Sequence, residues 1–144
     1  MALHLIKLSV GINDIDHLRT VQKRRRGEAK NAGLGDRLWH QTRHMPRRAA
    51  ELLDGGSIYW VIKGAIRARQ PLRNFEALTT EDGIKRCRII LDPSLVPTDH
   101  WPRRPFQGWR YLEESDAPND LDPRASGADM PPELVAELRA LGLW

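Results

Sequence analysis

The residues of this chain best suited to chemistry are cations and aromatics set close together in two stretches. The first is Ser57-Ile58-Tyr59-Trp60-Val61-Ile62-Lys63-Gly64-Ala65-Ile66-Arg67-Ala68-Arg69-Gln70. Read as one extended segment, it sends alternate side chains to opposite faces. Ile58, Trp60, Ile62, Ile66 and Ala68 then form a core face, with Gly64 carrying a bend or bulge between them. The other face carries Tyr59, Val61, Lys63, Arg67 and Arg69, a mixture that suits a sugar-phosphate backbone and a base. The second stretch is Arg103-Arg104-Pro105-Phe106-Gln107-Gly108-Trp109-Arg110-Tyr111-Leu112, where arginines interleave with aromatics. Guanidinium groups hold phosphates, and both they and aromatic rings stack on bases. The same pattern also describes a closing segment anchored in the core by Phe106, Trp109 and Leu112, with its arginines in solvent. Arg86 and Arg88 share one side of an expected strand and are placed near Arg67 and Arg69. Like charges facing each other across strands are destabilising, so such a cluster is easier to rationalise against an anion.

Patterns for reactive chemistry are sparser. His40, His44, His100 and Cys87 are zinc-ligand types, but the spacing suits a metal only if residues 39–45 are helical, and there is no second cysteine. No metal and no cofactor is expected. Cys87 lies on the apolar side of its strand and reads as a small core residue. There is no Gly-rich phosphate loop, dinucleotide fingerprint or serine-nucleophile elbow. Catalytic residues are therefore unassigned. Glu51, Lys63 and Tyr59 are the candidates if the chain is an enzyme on an anionic substrate.

The elements that must position these residues are legible in outline. Leu3-His4-Leu5-Ile6-Lys7-Leu8-Ser9-Val10 is apolar on both alternations, as in a central strand covered on two sides. Asn13, Asp14 and Asp16 are capping types ahead of a helical stripe of Ile15, Leu18 and Val21, giving a helix over 14–29 whose end carries Lys23-Arg24-Arg25-Arg26. Gly33 and Gly35 end it. A short strand over 38–44 and a short helix over 46–53 follow. Arg47 and Arg48 stand in that helix's first turn, where they oppose its dipole; an anionic partner or simple surface tolerance accounts for them. Pro71 is expected to turn the chain or mark an edge, and 72–78 is a further extended segment. Asp82-Gly83 signals a tight hairpin turn into a strand over 84–91. Residues 92–105, with four prolines, read as an irregular connection.

Composition bounds the answer. At 144 residues the chain holds one cored domain with an appendage. A mean hydropathy of -0.55 and the lack of a long apolar run exclude a membrane-spanning helix. The first ten residues lack the basic start and cleavage site of a signal peptide. With one cysteine and no disulfide framework, the expected location is cytoplasmic. Up to Leu112 the chain has 21 basic and 11 acidic residues; from Glu113 onward it has 2 and 8. A basic body thus precedes an acidic tail. Sixteen of the body's 21 cations are Arg, which favours bidentate recognition of phosphate, though a coding bias toward arginine gives the same ratio. Residues 1–112 are expected to form the domain, 113–130 an acidic flexible linker, and 131–144 a short amphipathic helix. On its tether that helix suits self-association, docking on its own basic body, or a role as a protein-interaction module.

Several of these segments resemble a bacterial family catalogued as domain of unknown function 1489. The resemblance lies in Leu3-His4-Leu5-Ile6-Lys7-Leu8, in Met45-Pro46-Arg47-Arg48-Ala49, in 51–64, in Arg86-Cys87-Arg88 and in 103–112. It implies no activity. A second resemblance is to the PUA-like superfamily of small β-barrels, on a short helix, a Gly-containing turn and a strand with Lys63 and Arg67; it implies a groove for RNA or a nucleotide. The expected fold is α+β: a curved, mostly antiparallel sheet or small PUA-like barrel, two flanking helices and a C-terminal helical tail. The expected function is binding of nucleic acid, RNA in particular, or of a nucleotide-like anion. Its residues would be Tyr59, Lys63, Arg67, Arg69, Arg86, Arg88, Arg103, Arg104, Trp109 and Arg110. The alternative is a small enzyme acting on a nucleotide or modified nucleoside.

Overall fold

A computed structural model describes residues 2–121. The expected helix over 131–144 lies outside them. The chain runs β1 (Leu3–Leu8), α1 (Ile15–Asn31), β2 (Leu38–Thr42), α2 (Ala49–Leu53), β3 (Ser57–Ile62), β4 (Ala65–Thr79), β5 (Lys85–Leu91), β6 (Val96–Pro102) and β7 (Trp109–Glu113). These strands form one mixed sheet in the order β2-β5-β4-β3-β1-β7, with β6 paired to β4. The β1–β3 pair is parallel and the others antiparallel. Among the described residues the fold is α+β with two α-helices, as the periodicities imply.

The first strand owes its place to two-sided burial. Leu3 and Leu5 face one core, shared with Leu18 of α1, Leu52 of α2, Ile58, Trp60 and Ile62 of β3, and Cys87, Ile89 and Leu91 of β5. Ile6 faces a second, with Tyr59, Val61, Ile66 and Leu112. Every residue of β3 is buried in consequence. Helix α1 is capped as its sequence predicts, with Asp14 accepting from the His17 N–H at 2.7 Å. Gly56 lets α2 hand the chain to β3 at close quarters, because a Cβ there would collide with the carbonyl oxygens of Leu52 and Leu3.

Several expectations are corrected. Residues 57–70 are not one strand but a hairpin, turned at Lys63 and Gly64 with φ of 50° and 81°. Positive φ at both central residues matches the twist of the flanking strands. The reversal, with a bulge at Arg67, puts Ile66 beside Tyr59 and Val61 rather than beside Trp60. Pro71 does not turn the chain. Strand β4 runs through it and changes partner there, from β3 and β6 on residues 65–71 to β5 on residues 72–79. Arg86 and Arg88 therefore lie opposite Leu78 and Glu76, not beside Arg67 and Arg69.

The proline-rich stretch holds a strand, β6, because the early half of β4 has a free edge to pair. Prolines are tolerated on such an edge strand. Residues 113–121 of the expected linker fold back onto the sheet. Asp120 bridges Thr98, and Leu121 N–H donates to the Pro97 carbonyl at 2.9 Å. β1 is internal but second from the end of the order.

The closed-barrel expectation is also corrected. The sheet curls around the core that contains Trp60, and the His40 ring of β2 meets Trp60 edge-on at 5.3 Å. The two ends of the strand order, β2 and β7, do not pair. Residues 43–48 bridge them instead: Trp109 Nε1 donates to the His44 carbonyl at 3.1 Å, and Arg48 N–H donates to the Tyr111 hydroxyl at 3.2 Å.

Candidate functional site

The gap between the unpaired sheet ends is a cleft of about 990 Å³ lined by Lys7, Gln41, Thr42, Arg43, His44, Met45, Arg47, Arg86, Gln107, Gly108, Trp109 and Tyr111. Each element supplies its part for a local reason. Trp109 and Tyr111 alternate with Arg110 and Leu112 along β7, so their rings share the inner face, 5.0 Å apart and edge-on. Lys7 stands opposite both Trp109 and Trp60. Trp109, Lys7 and Trp60 thus form one row across three strands. Arg86, the second residue of β5, lies just beyond Thr42, the last residue of β2, which pairs with Cys87. Arg43, His44 and Arg47 come from the bridge that spans the gap.

Lys7, Arg43, Arg47 and Arg86 converge on a lining that contains no carboxylate. Elsewhere several arginines are neutralised. Arg26 is held by Asp36, Arg37 by Glu76, Arg48 by Glu51, Arg69 by Asp120 and Arg73 by Asp92. None of the four cleft cations makes an ion pair among the described residues. Lys7 is half-buried, and that burial lowers its pKa from the usual lysine value. A half-buried cation among other cations, without a counter-charge, is suited to an anion arriving from solution.

The sequence-selected residues separate into groups. Arg86 and Trp109 line this cleft. Arg103, Arg104 and Arg110 gather round Phe106 in a shallower cleft of about 370 Å³. The Arg110 guanidinium lies 5.0 Å from the Phe106 ring, and that of Arg103 lies 6.0 Å from it. Because Arg110 alternates with Trp109, this second cleft occupies the other face of β7.

Tyr59 and Arg69 line a third depression with His4, Glu114 and Asp120. There Arg69 is grasped by both Asp120 oxygens, at 2.6 and 2.8 Å, and donates to Ser57 Oγ at 3.0 Å. Asp120 is in turn held below the usual carboxylate range by that guanidinium. Tyr59 is buried, which pushes its phenol up to about 12. His4 accepts from Ser57 N–H at Nδ1, 3.0 Å, and its Nε2 meets Glu114 at 2.5 Å. Both ring nitrogens thus have polar partners within the fold.

Lys63 stands exposed on its turn. Arg67 is half-buried on its bulge. Arg88 lies over the Trp39 ring at 4.7 Å. Among the described residues no group of three or more His, Cys, Asp or Glu side chains is placed to hold a metal, and no helix is long and apolar enough to cross a membrane.

Sequence reasoning missed Lys7, Arg43, His44, Arg47 and Tyr111 as one site. Two signals pointed to it. Lys7 interrupts an otherwise apolar strand, and Arg47 is a cation in the first turn of the expected helix over 46–53, although that helix begins only at Ala49 and Arg47 stands in the turn before it.

Fold and cleft together define an open-sheet α+β protein with a cationic, aromatic-edged cleft where a barrel would have closed. The chain belongs to the family described as Protein of unknown function (DUF1489), whose model matches residues 5–144. No curated protein and no solved structure shows significant similarity to it.

Proposed function

We propose that this protein binds single-stranded nucleic acid in the cleft between β2 and β7. The observation that carries the reading is the convergence of Lys7, Arg43, Arg47 and Arg86, without a carboxylate, beside the Trp109 and Tyr111 rings. Cations that track phosphates, next to rings on which bases stack, are the general design of single-strand grooves. The arginines round Phe106 on the other face of β7 extend the cationic surface past the strand edge. Thus five of the residues chosen from sequence, Arg86, Arg103, Arg104, Trp109 and Arg110, keep a place in the interface. Arg69 and Arg88 are engaged within the fold.

An enzyme acting on a nucleotide has less support. Glu51 is tied to Arg48 at 2.5 Å, Lys63 is exposed on a turn, and Tyr59 is buried beside Arg69. Those three candidates occupy three separate places.

The test is binding of labelled single-stranded RNA and DNA across a salt series, with wild type and an Arg43→Gln/Arg47→Gln variant. Both arginines are exposed, so the variant keeps its fold, as circular dichroism will show. Losing two phosphate contacts flattens the slope of log K against log salt by about 1.4 for a single strand. Affinity that ignores salt, or a slope that the variant leaves unchanged, overturns the reading.

A further inference from the structure

We propose that the nucleic-acid cleft has a base-binding side chamber behind Lys7, and that a nucleobase occupies it while its own phosphate rests on the cleft cations. This rests on the reading above and specifies its ligand as a nucleoside monophosphate unit.

The chamber has a volume of about 240 Å³ and lies between α1 and the sheet. Leu18, Val21 and Arg25 of α1 form one wall; His40 of β2, Trp60 of β3 and Leu91 of β5 form the other. The Trp39 indole points to the opposite face of β2, under Arg88. Lys7 lines both the chamber and the cleft. The row Trp109, Lys7, Trp60 runs from one into the other, with the ammonium at the junction. A ligand with a ring in the chamber therefore has its phosphate within reach of Lys7.

The chamber is smaller than the roughly 300 Å³ at which pockets for drug-sized ligands begin. It suits one planar ring system and excludes the attached sugar and phosphate. Its polar groups are specific as well. Gln22 is spent, because its amide is paired reciprocally with Gln70 at 2.9 Å in both directions. His40 makes no side-chain hydrogen bond among the described residues. A neutral imidazole offers one donor and one acceptor, the pair of functions that a base edge presents. The Trp60 indole and His40 imidazole beside Leu18, Val21 and Leu91, with Lys7 and Arg25 at the rim, favour a planar heteroaromatic ring over an aliphatic chain.

The experiment is calorimetric titration of the full chain with uridine 5′-monophosphate, adenosine 5′-monophosphate, ribose 5-phosphate and inorganic phosphate, alongside the oligonucleotide salt series. At least one nucleotide is expected to bind about tenfold tighter than ribose 5-phosphate, the increment being that of a stacked base. Val21→Trp, which fills the chamber from α1 without touching the cleft, is expected to erase that increment and keep the salt slope. Independently of any variant, the His40 ring-nitrogen resonances of wild type are expected to shift on saturation with the nucleotide.

Equal affinity for nucleotide and ribose 5-phosphate overturns the chamber. So does a tenfold increment that survives Val21→Trp, or His40 resonances that do not move. If these fail while oligonucleotides still bind with a steep salt slope, the cleft reading stands alone. If the salt slope is absent too, both fall.

Discussion

His40 makes the fold sensitive to mild acid in a way that a single substitution should reveal. Burial, then the positive charges of Lys7 and Arg25, lower its pKa to about 4 from an ordinary 6.5. Glu28 is the acidic residue that lines a cavity with it. The unfolded chain therefore binds a proton near pH 6.5 that the native protein refuses until near pH 4. Stability from this residue is complete above pH 6.5 and is lost as pH falls through that window. With those two values, the loss between pH 7.5 and pH 5 is about 2 kcal/mol, and it reaches about 3 kcal/mol below pH 4.

His40→Gln keeps a polar planar group that does not titrate. Its own packing cost against Trp60 is the same at every pH, so the difference between wild type and variant isolates the proton. Urea unfolding followed by tryptophan fluorescence is the assay. At a slope of about 2 kcal/mol per molar, wild type should lose about 1 M in midpoint between pH 7.5 and pH 5 beyond what the variant loses. If both lose the same amount, His40 is not held neutral by this site, and the charge arrangement argued for Lys7 and Arg25 is wrong.

Other consequences are direct. Gly56→Ala should destabilise by about 3 kcal/mol or prevent folding, since the new methyl meets two backbone carbonyls that cannot move; chemical denaturation or soluble yield measures it. Asp120→Asn should cost about 1 kcal/mol at neutral pH, the pair being partly exposed. Because the Asp120 pKa is depressed, its contribution is present above the unfolded carboxylate value and fades as pH falls through the folded one, so wild type and variant should converge in acid. The Arg43→Gln/Arg47→Gln pair should flatten the salt slope of single-strand binding. Lys63→Ala, on the exposed turn away from the cleft lining, should leave that slope unchanged in the same assay.

The sequence by itself determined what alternation, capping and turn chemistry can express. The two-sided burial of β1, the Asp14 cap, the turn near Asp82-Gly83 and the basic character of the body all follow from neighbours within a few residues, whereas the face of β3 read as open to a ligand, with Tyr59 and Val61, is buried in a second core. The α+β class followed from the same signals. Residues 57–70 mark the limit of that reasoning. Alternation is a rule about one strand, and it holds only until the strand reverses. A turn at Lys63-Gly64 has glycine as its only cue, which a bend or bulge would share.

The tertiary structure alone decided which cations meet. β4 exchanges partners at Pro71, so Arg86 pairs away from Arg69. Asp120 returns to the sheet and neutralises Arg69. The curl of the sheet brings β2 and β7 close without pairing them. Lys7, Arg43, Arg47, Arg86 and Trp109 are distant in sequence and share no local pattern. They converge because a barrel that stops short of closure leaves a seam, and the residues lining a seam are chosen by strand order and register rather than by local sequence.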